Sequence, residues 1–280
     1  MTCHQAREAV GRDFIRLSEN YDVWRYGITY GWLLERFELP LIGLPSDLPA
    51  HARIGIGHHA GSASTEEVAL LDDAFFLLAL TCAANDRMMA EGSKVSKPLT
   101  VEEMIPVHKA LTRLNMNVAT YARSTVLTSV AFVESFVNSI GSHAAATNSG
   151  LDPAVAEQLH GTRKGRYLSL EYKLEKYPSL IRTDGRGPLQ VIDEVQRKEP
   201  FRRFLAEAKE VRDASMHFGP SKAPIVCTPQ EWMKRAEEAL DDAVGVAQAF
   251  WVACYPTAGQ PDYLSRLDAE TFREHARLRM

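Results

Sequence analysis

An all-α protein, built as an up-and-down helical bundle with an N-terminal helical extension, is what this chain of 280 residues predicts. Three observations predict it. Apolar residues recur at three- and four-residue spacing through long segments, the period of a helix buried along one side. Two of those segments open on Thr followed three residues later by Glu, the reciprocal box that satisfies orphan amides at a helix start. No stretch alternates apolar and polar residues over a useful length, as a half-buried strand would.

The elements follow in order. Residues 5–19 and 22–38 read as helices. Residues 39–63 carry enough Pro and Gly to read as irregular. Ser64 is placed to cap a helix over about 65–91, with Glu66 and Glu67 at its positive end. Its centre, AFFLLAL, is apolar nearly all round and predicts a central position. EGSKVSKP is a loop, and Thr100 with Glu103 opens the next helix. From Asn117 to about Ala146 runs the longest helical stretch, with Val126, Val130, Val133, Val137 and Ile140 in one stripe. Shorter helices are expected over 153–162 and 166–177, then a loop, YPSLIRTDGRGP. Residues 199–217 form a charged helix with Phe201, Phe204, Leu205, Ala208 and Val211 inward. Thr228, Pro229 and Glu231 start a long helix reaching about Tyr255, and a short amphipathic helix covers about 268–278. The domain division read from this is an extension over 1–117, a bundle over 118–256 and a tail over 257–280.

Composition narrows the function. Apolar residues make up 45% and charged residues 24%, ordinary for a soluble globular chain. A net charge of −4 excludes a uniformly cationic nucleic-acid binder. The charge is uneven, however: residues 160–212 hold thirteen Lys and Arg against eight Asp and Glu. A basic segment on an acidic body suits a polyanionic partner or a solvated face. Cys3, Cys82, Cys227 and Cys254 lie far apart with no CxxC, so neither a zinc knuckle nor a disulfide framework is indicated. Cys82 and Cys254 are expected as buried thiols, and a reduced, cytoplasmic setting is expected. The N-terminal MTCHQAREAVGRDF lacks the apolar stretch of a signal peptide. The longest apolar run is too short to span a bilayer, so no membrane partner is expected.

The chemistry concentrates in EVRDASMHFGP, residues 210–220. Arg212 and His217 stand five apart where a charged helix meets Gly219-Pro220. On an unbroken helix they point about 140° apart. They converge if the helix loosens at its end, or if two copies meet. A second such spacing, Arg53 to His58, falls in the Gly-rich irregular segment with no helix to hold it. His58-His59 points two imidazoles apart with no acidic or thiol cluster, so no metal and no cofactor are expected. Arg163, Lys164 and Arg166 with Tyr167 form a basic and aromatic turn that could follow an RNA backbone and stack a base. Arg202 and Arg203 are a similar pair.

RDASMH resembles the R-[polar]-x3-H signature of the HEPN superfamily (higher eukaryotes and prokaryotes nucleotide-binding domain). In such bundles a long early helix often carries an acidic residue that faces the Arg–His pair. Here AFVESFVNSI places Glu134 within an apolar face, where a carboxylate is costly unless it meets a cation. The signature helix and a long closing helix follow in the expected order, and the resemblance covers roughly 118–256. It implies metal-independent cleavage of RNA by a homodimer, leaving a 2′,3′-cyclic phosphate. His217 is then the general acid/base, Arg212 the phosphate clamp and Glu134 the orienter of Arg212, with Asp213 and Asn138 in support. It also implies a toxin or phage-defence effector held in check by a regulatory protein, often an antitoxin. The alternative is a non-catalytic HEPN-like module that binds RNA, nucleotide or protein.

Overall fold

The computed structural model describes residues 54–56, 63–95, 98–182, 189–216, 227–260 and 264. The helices expected over 5–19, 22–38 and 268–278 lie outside them. The described residues form an all-α fold. Its helices are α1 (Glu66–Ser93), α2 (Val101–Thr147), α3 (Pro153–Leu159), α4 (Leu170–Ile181), α5 (residues 201–216) and α6 (Pro229–Cys254). Two small antiparallel pairs accompany them. One joins β1 (Ile54–Ile56) to β2 (Ala63–Thr65), the other β3 (Thr162–Arg163) to β4 (Arg166–Tyr167). None of the described helices is long and apolar enough to cross a membrane.

Two compact units divide the chain. The first comprises Met1–Ala69, Phe132–Lys198 and Val246–Leu267; the second comprises Leu70–Ala131, Glu199–Gly245 and Asp268–Met280.

In the first unit the core is aromatic. Phe136 meets Phe132, Phe250 and Trp251 with ring centroids 5.9, 6.4 and 6.5 Å apart, in tilted and edge-on arrangements that the ring quadrupoles favour. Val133, Val137 and Ile140, three of the five residues in the valine-rich stripe, are fully buried there. At Gly141 a methyl group would lie 2.5 Å from the Leu159 carbonyl and from the Tyr177 ring, so only glycine lets these elements approach. Tyr177 Oη donates to the Gln158 carbonyl at 2.8 Å, and burial pushes its phenol well above the ordinary range.

The structure corrects three readings in this unit. Residues 153–162 and 166–177 were expected as helices, but α3 stops at Leu159 and a hairpin follows. Lys164 and Gly165 both take positive φ (51° and 72°), the backbone of a two-residue primed turn, with Arg163 opposite Arg166. Helix α4 then runs through Pro178 to Ile181, where a loop was expected. Burial of Leu170, Leu174, Tyr177 and Pro178 outweighs the one amide that proline removes. Finally, residues 54–56 and 63–65 pair as strands within the segment expected to be irregular. Ser64, expected as a helix cap, belongs to β2, and α1 begins at Glu66.

The second unit buries Leu71, Ala74 and Leu78 of α1, Val118, Ala122, Val126 and Val130 of α2, and Trp232, Ala236 and Leu240 of α6. Both Thr–Glu boxes form: Thr100 N donates to Glu103 Oε2 at 2.9 Å, and Glu231 N donates to Thr228 Oγ1 at 3.3 Å. A fourth correction concerns α2, which runs unbroken from Val101 through the expected junction near Asn117. No Gly or Pro stands between Val107 and Ile140, so nothing interrupts the hydrogen-bond ladder. The inner face of α5 is as expected: Phe201, Phe204, Leu205, Ala208 and Val211 are all buried. Within α5, Phe204–Ala208 form a π turn, with Lys209 N donating to the Phe204 carbonyl. Cys254 is buried as expected, whereas Cys82, near the middle of α1, is half-buried.

Candidate active site

The signature segment lies at the end of α5. Val211 and Ala208 anchor this turn in the core, which leaves Arg212 and Asp213 half-buried beside it. Asp213 ties two cations together: Oδ1 stands 3.0 Å from Arg212 Nη1, and Oδ2 accepts from Lys209 Nζ at 2.8 Å. Lys209 and Asp213 are four apart, one helical turn, so this part of the cluster is local and needs no partner helix. The helix is described as far as Met216, and Ser215 Oγ donates back to the Val211 carbonyl at 2.8 Å. His217 is the next residue in the chain and lies outside the described residues, as do Arg53, His58 and His59.

A π turn precedes this cluster. Such turns carry one extra residue per turn and recur where a helix presents functional side chains. Here the turn sets Glu207 on the rim of a shallow, open cleft. Val126, Ala208, Val211 and Ala239 supply its apolar lining, and Arg235, Glu238 and Asp242 complete the rim. Asp242, only 5% exposed, is gripped by Arg203 through two parallel bonds of 2.6 and 2.7 Å. The planar guanidinium matches the carboxylate, and the pair keeps Arg203 fully protonated. With Asp242 neutralised, the rim still carries Glu207 and Glu238 against Arg235, a poor setting for phosphate.

The remaining expected site residues fall in the first unit. Glu134 is half-buried and Asn138 exposed, one turn apart on α2. Both address Lys173 of α4: Lys173 Nζ donates to Asn138 Oδ1 at 2.9 Å, and the Glu134 charge acts on the same ammonium. Burial lowers the Lys173 pKa, and Glu134 opposes that shift. Sequence reasoning missed Lys173. Two polar residues four apart on an otherwise apolar stripe were the available signal that a cation approaches from elsewhere. Arg212 belongs to the second unit, where Asp213 lies beside it.

The hairpin of Thr162–Arg163 and Arg166–Tyr167 stands next to this cluster. Gly161, at φ 88°, leads into it, with Lys173 Nζ 3.3 Å from where a methyl group would sit. Glu157 Oε1 accepts from Gly165 N at 3.1 Å and steadies the turn. Arg163, Lys164 and Arg166 are exposed and make no ion pair among the described residues, and Tyr167 is 92% exposed. Arg202, by contrast, is held by Glu199 through Nε and Nη2 at 2.8 and 2.6 Å. Among the described residues no group of three His, Cys, Asp or Glu is placed to hold a metal ion. No family model matches this chain, and no curated protein or solved structure is significantly similar to it.

Proposed function

We propose that this protein is a metal-independent endoribonuclease of the HEPN type. The observation that carries the reading is the Asp213 bridge. It fixes Arg212 on a core-anchored helix, five residues before His217 in the R-D-x3-H pattern of the sequence.

The chemistry follows from the residue types. RNA supplies its own nucleophile, the 2′-hydroxyl. His217 removes that proton, because an imidazole titrates near neutral pH, and a proton returns to the departing 5′-oxygen. Arg212 holds the phosphate by two hydrogen bonds and stabilises the charge that grows on it. Asp213 keeps the guanidinium in place, and Lys209 adds positive potential on the same face. Glu134 and Asn138 act through Lys173, beside the basic hairpin whose Arg163, Lys164, Arg166 and Tyr167 receive the RNA strand. DNA, lacking the 2′-hydroxyl, is not cut. A homodimer, a regulatory partner such as an antitoxin and a role as toxin or defence effector accompany this reading.

The test is RNA cleavage in EDTA by the wild type, His217→Ala and Arg212→Ala, with folding followed by circular dichroism. The wild type is expected to leave 2′,3′-cyclic phosphate ends. Each variant is expected to stay folded and lose about 10²-fold or more in rate. Asp213→Asn is expected to lose less, about tenfold, because Arg212 remains but is less well held. A wild type inert on tRNA, rRNA and mRNA, or variants that cut equally well, would overturn the nuclease reading in favour of a binding module.

A further inference from the structure

The basic segment over residues 160–212 engages most of its described Lys and Arg within the protein. Arg202 and Arg203 are held by Glu199 and Asp242, and Lys209 and Arg212 by Asp213. Lys173 and Lys176 bind Asn138 and Glu175, while Arg182 and Arg197 donate to the carbonyls of Ala253 and Val191. Four cations of the segment make no hydrogen bond or ion pair among the described residues, and three of them, Arg163, Lys164 and Arg166, share one turn. The fourth is Lys198.

The hairpin gathers these three charges against local preference. Arg163 stands directly opposite Arg166, so their Cβ atoms lie about 5 Å apart on one face, a like-charged pairing that repels. Lys164 takes a φ of 51°, where Gly or Asn is the ordinary choice. Glu157, whose carboxylate touches the turn, directs Oε1 to the Gly165 amide and pairs with neither guanidinium. Leu168 N donates to the Gly161 carbonyl at 2.9 Å and closes the base, so the cations project from a fixed frame. Tyr167 pairs with Thr162 and falls on the opposite face.

The distribution of charge selects the ligand. A strand bound along its length needs positive charge spread along a groove that tracks its backbone. Here the unengaged charge is concentrated at one point. An internal phosphodiester brings a single negative charge, whereas a terminal phosphate carries about −1.5 to −2 at neutral pH on three open acceptor oxygens. Two guanidinium forks and one ammonium match that charge and those oxygens. We infer that the turn from Arg163 to Arg166 grips the terminal phosphate monoester of a nucleic-acid strand, with the two arginines as forks and Lys164 as the third cation. That the strand is RNA rests on the reading proposed above; the grip on a terminal phosphate does not.

The test is fluorescence anisotropy of the full chain with an internally labelled 2′-O-methyl RNA strand, which lacks the attacking hydroxyl and cannot be cut. The same strand is used with a 5′-phosphate, with a 3′-phosphate and with hydroxyls at both ends. The wild type is expected to bind at least one phosphorylated form about tenfold more tightly than the hydroxyl form, and the tighter form identifies the end that is gripped. Arg163→Ala with Arg166→Ala, both at exposed positions, is expected to stay folded and to bind all three forms alike. Lys164→Gly relieves the positive φ and is expected to raise the thermal midpoint while lowering the preference about threefold. Lys198→Ala, which removes an unengaged cation outside the turn, is expected to leave the preference unchanged. A wild type that binds the three forms equally, or a preference that survives in the double variant, would overturn the inference. The two readings fail separately. Binding of a phosphorylated end without RNA cleavage removes the ribonuclease alone; cleavage with equal binding of the three forms removes the terminal-phosphate site alone.

Discussion

Arg163–Arg166 and Arg202–Arg203 look alike as strings, two short runs of cations within one basic segment, yet the fold treats them differently. In the hairpin, a primed turn throws Arg163, Lys164 and Arg166 outward, in no ion pair among the described residues, with Tyr167 beside them. At the start of α5, Arg203 reaches a buried Asp242 thirty-nine positions away, and Arg202 is spanned by Glu199. One cluster offers positive charge to a partner; the other spends most of it within the protein. A count of charges along the chain does not distinguish the two, because the neutralising carboxylate comes from another helix.

The largest effect expected from this contrast is on stability. Arg203→Ala leaves Asp242 buried without its cation and is expected to cost about 3 kcal/mol in urea denaturation. Next, Arg163→Ala with Arg166→Ala is expected to leave stability within about 0.5 kcal/mol. The same pair is expected to weaken RNA binding about tenfold at low salt and to lower the salt slope by about two. Equal loss of RNA affinity in the Arg203 variant, judged under conditions where it remains folded, would break the comparison. Gly161→Ala probes whether the hairpin must be held in place: its φ of 88° predicts a loss of about 1 kcal/mol, with a matching loss of RNA affinity.

The smallest effect concerns Glu199. A hydrogen bond from Arg202, and then the amide of Arg203, hold its carboxyl below the usual range. Its folded pKa is depressed, so its contribution to stability is present above the ordinary carboxylate range and fades as pH falls through the folded value. Arg202→Ala is expected to move the Glu199 titration, followed by NMR, back up towards the ordinary carboxylate range. The accompanying change in stability is expected to be under about 0.5 kcal/mol, since the pair is exposed. An unmoved titration would mean that the Arg203 amide, not Arg202, dominates.

The readings that succeeded rest on short-range physics. The box of Thr228 and Glu231 and that of Thr100 and Glu103 need only four consecutive residues, and both form as read. The stripe from Val126 to Ile140 is buried throughout because a 3.6-residue period has one way to fold away. The Lys209–Asp213–Arg212 cluster is equally short-range, its members at most one turn apart, but Lys209 was not singled out in the sequence. Corrections arose where neighbours in space decide. Pro178 argues locally for a loop, but the burial of Leu174 and Tyr177 carries α4 past it. Gly161 and Gly165 signalled a turn, yet nothing local said that two strands would pair across it.

Taken alone, the sequence determined the helical class, the starts of α2 and α6, the inner faces of α2 and α5, and the helical setting of Arg212. Each follows from propensity, capping or periodicity, which act within one or two turns. Tertiary structure decided which charges are spent and which are offered. Asp242 claims Arg203, Asn138 and Glu134 address Lys173, and the hairpin leaves Arg163 to Arg166 in solvent. The physical reason is that a buried carboxylate must find a cation wherever the chain brings one. Which residue answers that need is set by the path of the backbone and not by neighbours in sequence.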